Sequence, residues 1–266
     1  MNKKNLYKGA AQYYERYRTK YPDSLFTKIE QLFRLDGNGR LLDLGCGPGT
    51  IAIPISGKFD EVVAIDADPE MVEICQHQAQ LGGIENITCL QKRSEDIDAS
   101  WGNFKLVTIA RAFHWMDRAA VLQTSHSLLV DGGGLVIIST DEDPRRGTYA
   151  WERATISVVK KWLGSAYPKK DLSHPQVPHE DIFADSPFSN YTTKTIQFEQ
   201  TWSIPSYIGY LYSTSFCLRD FFAGNAKAFE EDLSEKLLAI NPTGELKQTV
   251  NISLIVASKT KQTLSV

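Results

Sequence analysis

The sequence predicts an α/β protein: a doubly wound, mostly parallel sheet of seven strands, with helices on both faces and a helical lid inserted late in the chain. Three observations predict it. Apolar segments alternate with helical segments between residues 41 and 140. Each strand segment is apolar at nearly every position, as in parallel sheets covered on both faces. A glycine-rich turn follows the first strand, where such sheets bind ligands.

The first half of the chain predicts five strands and three helices. Asp68 is expected to cap the second of these helices, with Pro69 at its first position, and Gly82 to end it. The strands are predicted at residues 41–44, 61–66, 86–90, 104–110 and 135–140, and the helices at 48–58, 69–81 and 117–129.

The regular alternation of strands and helices ends at about residue 140. A helix is predicted at residues 149–163, a proline-rich loop at 168–187 and a strand at 191–202. Residues 206–240 read as mostly helical and rich in aromatic side chains, and residues 248–258 as a last strand. The two late strands complete the seven-stranded sheet. The insertions at 141–190 and 204–246 are expected to cover its ligand-binding end.

Net charge, cysteine spacing and the lack of long apolar runs exclude several classes of function. The 266 residues carry a net charge of −3, so no overall positive field attracts nucleic acid or an anionic membrane. The four cysteines show no C-x-x-C spacing, which suggests neither a zinc site nor a redox pair. The N-terminus lacks the apolar core of a signal peptide, and no apolar run is long enough to span a bilayer. A cytoplasmic protein without metal is expected.

The stretch from Leu42 to Thr50, LDLGCGPGT, is the most informative one. Gly45, Gly47 and Gly49 allow a tight turn and a close approach by a ligand. Asp43, at the strand end, is expected to brace this loop or to reach a cofactor amine. Asp66 ends the second strand about twenty residues later, where a carboxylate can bind both hydroxyls of a ribose. The alternative for Asp66 is an ordinary loop or capping acid.

Further candidates follow the second and third strands. Met71 begins a helix and is interpreted either as a contact for an adenine face or as a core residue. Ser94, Glu95 and Asp96 follow the third strand, where an acceptor can meet an adenine amino group. The sequence leaves open which of the two acids does so.

The glycine pattern G-x-G-x-G resembles the first motif of the class I S-adenosylmethionine-dependent methyltransferases, which have a Rossmann-like fold. Residues 7–22 and the sequence Ala112-Phe113-His114-Trp115 resemble small-molecule methyltransferases of the trans-aconitate or methyltransferase type 11 kind. The resemblance implies S-adenosylmethionine as cofactor and S-adenosylhomocysteine as product. It also implies a cofactor-binding core at residues 1–140, and substrate lid insertions with the last two strands at 141–266.

In such enzymes an N-terminal helix covers the cofactor. The resemblance therefore implies that Tyr14 and Arg18 lie near the methionine carboxylate. Thr19 stands where the family often has proline, and Arg111 where it commonly has Gln or Asn. The expected cofactor-binding residues are Tyr14, Arg18, Asp43, Gly45, Cys46, Gly47, Gly49, Asp66, Ala67, Met71, Ser94, Glu95, Asp96 and Ala110.

The implied reaction moves a methyl group from a sulfonium to an O, N, S or C atom of a small molecule. His114 is the candidate general base, or else a structural histidine. Arg111, Trp115 and Arg219 are the other substrate candidates, the arginines for a substrate carboxylate. The aromatic residues between 202 and 222 favour an acceptor that is apolar or carries a ring.

Three rival functions remain. A methyltransferase for RNA or protein is disfavoured because no basic domain is present. A regulatory protein that binds the cofactor without turnover is compatible with the glycines and Asp66. A nicotinamide oxidoreductase is disfavoured by the glycine spacing. The protein is expected to act as a monomer or homodimer.

Overall fold

The computed structural model describes residues 10–168, 177–188 and 190–259. Residues 7–9 of the N-terminal motif, and His174 of the proline-rich loop, lie outside this part of the chain. The described residues form two compact units. The sheet unit comprises residues 21–140, 177–188, 190–196 and 252–259, and the aromatic unit comprises residues 10–20, 141–168 and 197–251.

The strands form one sheet in the order β3-β2-β1-β4-β5-β7-β6. Strands β1 to β5 pair in parallel, whereas β7 pairs antiparallel with β5. This is the predicted seven-stranded, mostly parallel sheet. The strands are β1 Arg40–Leu44, β2 Glu61–Asp66, β3 Ile87–Gln91, β4 Phe104–Ala110, β5 Leu129–Thr140, β6 Tyr191–Ser203 and β7 Glu245–Ser258.

Helices connect the strands, as predicted. Asp68 caps the helix that follows β2 by accepting a hydrogen bond from the Glu70 N–H. The helices, numbered in chain order, are α1 Ala11–Tyr17, α2 Asp23–Phe33, α3 Ala52–Ile55, α4 Pro69–Leu81, α5 Arg118–Leu128, α6 Ala150–Leu163, α7 His179–Phe183, α8 Ile204–Tyr212 and α9 Ala226–Ile240.

Among the boundaries that differ from the prediction, two lie at glycines. Helix α3 begins at Ala52 rather than Pro48, because residues 45–51 form the glycine loop. Strand β5 begins at Leu129, six residues earlier than predicted, and includes the glycines that suggested a turn. A β-carbon on Gly134 would lie 1.8 Å from Phe33 Cε1, so this glycine leaves room for a ring of α2.

Each unit has its own core. In the sheet unit, apolar side chains of β1, β2, β4 and β5 pack with Phe113, Val121 and Leu122. In the aromatic unit, Trp151, Trp202 and Tyr207 pack with residues of α6, α8 and α9. No helix among the described residues is long and apolar enough to cross a bilayer.

Candidate functional site

The glycine loop leaves the carboxyl end of β1 through three residues with positive φ. These are Gly45 at +66°, Gly47 at +55° and Gly49 at +87°. A β-carbon on Gly45 would lie 2.5 Å from the Ala112 β-carbon, and one on Gly49 would lie 2.6 Å from Ile53 Cδ1. Both backbone conformation and available space therefore require glycine at these two positions.

Asp66 supports this loop from the end of β2. One carboxylate oxygen accepts the Gly47 N–H at 2.9 Å, and the other accepts the Asp68 N–H at 2.9 Å. Burial raises the pKa of Asp66, and the backbone hydrogen bonds oppose that rise. Each oxygen keeps a further lone pair after accepting one N–H. The carboxylate thus holds the loop and retains the capacity to accept two more hydrogen bonds.

Asp43 lies inside the sheet rather than on its surface. It is 1% exposed, and the hydroxyl of Thr108, its register partner on β4, donates to Oδ1 at 2.7 Å. Burial raises the pKa of Asp43 to about 7, while hydrogen bonds from Thr108 and the Ala52 backbone oppose that rise. Asp43 therefore stabilises the sheet beneath the loop; contact with a cofactor amine stays a prediction.

The residues after β3 have different surroundings. Ser94 is buried, whereas Glu95 and Asp96 are exposed. Glu95 accepts the Asp117 N–H at 3.0 Å and the Arg93 Nε–H at 3.2 Å, one on each oxygen. Its pKa is lowered, because these bonds outweigh the effect of burial.

Three more predicted cofactor residues belong to the sheet unit. Met71, in the first turn of α4, is 5% exposed and belongs to the core of the sheet unit. Cys46 is buried, with its thiol 3.4 Å from the Gly47 carbonyl oxygen. Ala67 directly follows β2, at the same strand end as Asp66.

The end of β4 carries the predicted substrate residues. Ala110 is the last residue of this strand, and Arg111 follows it with φ of +53°. The Arg111 N–H donates to the Ile138 carbonyl at 2.9 Å, and its guanidinium lies 5.1 Å from the Tyr21 ring centre. His114 and Trp115 form a single helical turn, with ring centres 4.8 Å apart. The proximity of these groups to the strand end agrees with the motif; their roles stay predictions.

Tyr14, Arg18 and Arg219 belong to the aromatic unit. The Arg18 guanidinium lies 4.9 Å from the Tyr14 ring centre and 5.2 Å from that of Tyr210, and it donates to the Ser213 carbonyl at 3.1 Å. Arg219 is half-exposed, with Nε 3.9 Å from a Glu230 carboxylate oxygen. Their predicted contacts with cofactor and substrate stay predictions.

The structure shows two features that the sequence did not indicate. The Cys75 and Cys89 sulfurs lie 3.0 Å apart in a buried thiol pair, although C-x-x-C spacing is absent. The Glu142 side chain is buried with neither carboxylate oxygen hydrogen-bonded. Among the described residues, no three His, Cys, Asp or Glu side chains are grouped so that they could hold a metal ion.

The sequence is similar to a known protein family and to several known proteins. Residues 41–133 match the family model described as a methyltransferase domain. An uncharacterized methyltransferase of Mycobacterium tuberculosis is 24% identical over 86% of this chain and 84% of its own length. An uncharacterized RNA methyltransferase of Listeria monocytogenes is 35% identical over 30% of this chain, which is 18% of its own length.

The fold is also similar to that of a solved structure. The crystal structure of the YcgJ protein from Bacillus subtilis aligns over 90% of this chain and all of its own, with a TM-score of 0.54 and 17% identity. The matched residues contain the glycine loop, Asp66 and the end of β4. Residues 41–133 therefore match a methyltransferase domain, in line with the resemblance of the glycine loop to that of the class I S-adenosylmethionine-dependent methyltransferases.

Proposed function

We propose that this protein binds S-adenosylmethionine and transfers its methyl group to an O, N, S or C atom of a small molecule. The acceptor has an apolar or aromatic part. The product of the cofactor is S-adenosylhomocysteine. The alternative is a protein that binds the cofactor as a regulatory ligand, without turnover.

The Asp66 carboxylate carries this proposal. It ends β2 beside the glycine loop, and each oxygen has accepted one backbone N–H. Two hydroxyls of a ribose supply two further hydrogen bonds, which the remaining lone pairs accept. Because Gly47 and Asp68 fix the carboxylate, little side-chain entropy is lost when the ribose binds.

Other residues are proposed for the remaining contacts with the cofactor. The glycine loop supplies backbone contacts to the cofactor. Glu95 or Asp96 is the proposed acceptor for the adenine amino group. Tyr14 and Arg18 are proposed for the methionine carboxylate. When bound, the cofactor supplies the activated methyl group.

The protein's part in the reaction is chiefly alignment. Methyl transfer needs the acceptor atom in line with the sulfur and methyl carbon, with water excluded. His114 is proposed to accept a proton where the acceptor must lose one. Arg111 and Trp115, beside it, are proposed to position the acceptor, and Arg219 to meet an acidic group on it.

An RNA acceptor is the second candidate, supported by the match to the Listeria protein. That match covers 30% of this chain and 18% of the other protein. If RNA is the acceptor, RNA binding to the full chain should weaken steeply as salt rises. If a small molecule is, no such binding is expected.

Calorimetric titration of S-adenosylmethionine and S-adenosylhomocysteine tests the proposal. We expect micromolar binding by the wild type and binding weaker by about 1.5–3 kcal/mol in Asp66→Ala, through the loss of charge-assisted hydrogen bonds. Asp68→Ala is the control, because this neighbouring acid caps α4. A folded wild type that binds neither compound would exclude the proposal, and an equal loss in Asp68→Ala would exclude the role of Asp66.

A further inference from the structure

Glu142 is a buried acid without a hydrogen-bond partner. It stands two residues after the end of β5 and is 9% exposed, and both carboxylate oxygens are buried and unbonded in the part of the chain that the structure describes. A buried carboxylate is costly unless a cation or hydrogen-bond donors compensate it. An acid kept in this state points to a partner that is not part of the chain.

The surroundings of Glu142 in the aromatic unit are aromatic. The Tyr210 hydroxyl donates to the Glu142 backbone carbonyl at 3.0 Å. Burial, and after it the Glu142 carboxylate, raises the pKa of this hydroxyl. The Trp202 ring centre lies 4.9 Å from that of Tyr210, and the Trp202 Nε1–H is itself buried without an acceptor.

Several charged side chains of this unit have partners other than Glu142. The Arg18 guanidinium stacks on Tyr210 and donates to the Ser213 carbonyl. Arg145 pairs with Asp143 at 2.7 Å, and Asp141 accepts both the backbone and side-chain N–H groups of Asn251. With both neighbouring acids occupied, Glu142 lacks the additional ligands that a metal ion needs.

A ligand with a cationic nitrogen fits these observations. A protonated amine supplies the positive charge and the N–H donors that the carboxylate lacks. The Trp202 ring supplies a cation–π contact. We propose that Glu142 binds the protonated amine of a small molecule. This ligand carries a basic nitrogen next to an apolar or aromatic part.

Three probes of equal ring size test this proposal: 2-phenylethylamine, 2-phenylethanol and 3-phenylpropionate. Each is titrated into the full chain saturated with S-adenosylhomocysteine. We expect the amine to bind at least 10-fold more tightly than the alcohol, and the carboxylate most weakly. In Glu142→Gln the preference for the amine should fall below about 2-fold, with unchanged binding of S-adenosylhomocysteine. Glu235→Gln, which alters an exposed acid of α9, should keep the wild-type preference.

Thermal unfolding gives a second, independent measurement. If Glu142 serves a ligand, Glu142→Gln should unfold at the same temperature as the wild type or a higher one, because the change removes an uncompensated charge. A lower unfolding temperature with the amine preference retained would show a structural role and overturn the proposal. A wild type that binds S-adenosylhomocysteine but shows no preference for the amine overturns this proposal alone. One that binds neither overturns the proposed function as well.

Discussion

Asp66, at the glycine loop of the sheet unit, and Glu142, in the aromatic cluster of Trp202, Tyr210 and Glu142, are carboxylates with opposite surroundings. At the loop, both oxygens of Asp66 accept backbone N–H groups. Asp43, below the loop, accepts the Thr108 hydroxyl on one oxygen and, among the described residues, has no partner on the other. In the aromatic cluster, both oxygens of Glu142 lack a donor.

This difference suits two different tasks, binding of the cofactor and recognition of a second ligand. A loop that binds one constant cofactor gains from being fixed in advance, because ordering then costs little free energy on binding. A site that recognises one particular ligand gains from unused hydrogen-bonding groups, since a ligand that lacks the matching group leaves them unpaired. The three predictions below test the two regions, from the largest expected effect to the smallest.

Gly45→Ala should disrupt the loop most strongly. The substitution places a β-carbon 2.5 Å from that of Ala112, in a backbone conformation with φ of +66°. We expect a loss of about 2–5 kcal/mol in unfolding free energy, from strain and overpacking together. Binding of S-adenosylmethionine should fall below detection. Urea unfolding and calorimetry measure the two effects.

The control for this substitution is Gly57→Ala. A β-carbon on Gly57 meets nothing within 4 Å, and its φ is not positive. It should change neither quantity appreciably. If Gly45→Ala binds the cofactor as the wild type does, the loop is not fixed in the way we describe.

Asp43 should make stability depend on pH. Burial raises its pKa in the folded protein to about 7, above the ordinary value of the unfolded chain. The folded state is therefore favoured when this carboxyl is protonated, and its stability falls as pH rises towards 7. From pH 5 to pH 8 this group should cost about 2–3 kcal/mol.

Urea unfolding at the two pH values measures this cost. In Asp43→Asn the unfolding free energy should fall by about 2–3 kcal/mol less than in the wild type. Asp131→Asn changes an exposed acid, and its unfolding free energy should fall between the two pH values by as much as that of the wild type. Equal pH dependence in Asp43→Asn and the wild type would show that Asp43 keeps an ordinary pKa.

Gly209→Ala should loosen the aromatic unit. A β-carbon at this position of α8 would lie 2.4 Å from the Tyr17 ring, so the end of α1 must move. We expect a loss of about 1–3 kcal/mol in unfolding free energy and faster proteolysis within α1. Gly224→Ala, where a β-carbon meets nothing within 4 Å, is the control. Unchanged proteolysis would indicate that α1 does not depend on this contact.

The predictable part of the molecule consists of features that are local in sequence. Strands β1, β2 and β4 were predicted because each is a continuous apolar run, and α4 because Asp68 and Pro69 mark its start. The glycine pattern likewise identified the loop. Contacts between distant residues were not predictable. Cys75 and Cys89 meet only because α4 packs on β3.

The same limit applies within the candidate site. Asp66 was predicted as a ribose ligand, but its hydrogen bond to Gly47 depends on the register of β1 and β2. Glu142 carries no signal in the sequence, because its significance lies in the donors that are missing around it. A single acid in a loop resembles any solvated one.

The position of β7 in the sheet has a consequence for how the chain is made on the ribosome. Strand β6 lies at the edge of the sheet, and its neighbour there, β7, is synthesised more than forty residues later. Until β7 emerges, the backbone groups of β6 have no strand to pair with. An unpaired strand invites association with other chains. On β6 the exposed Thr195, Gln197 and Glu199 alternate with Ile196 and Phe198, so one face of this strand is polar. Such a polar face limits association of the strand with other chains before β7 is made.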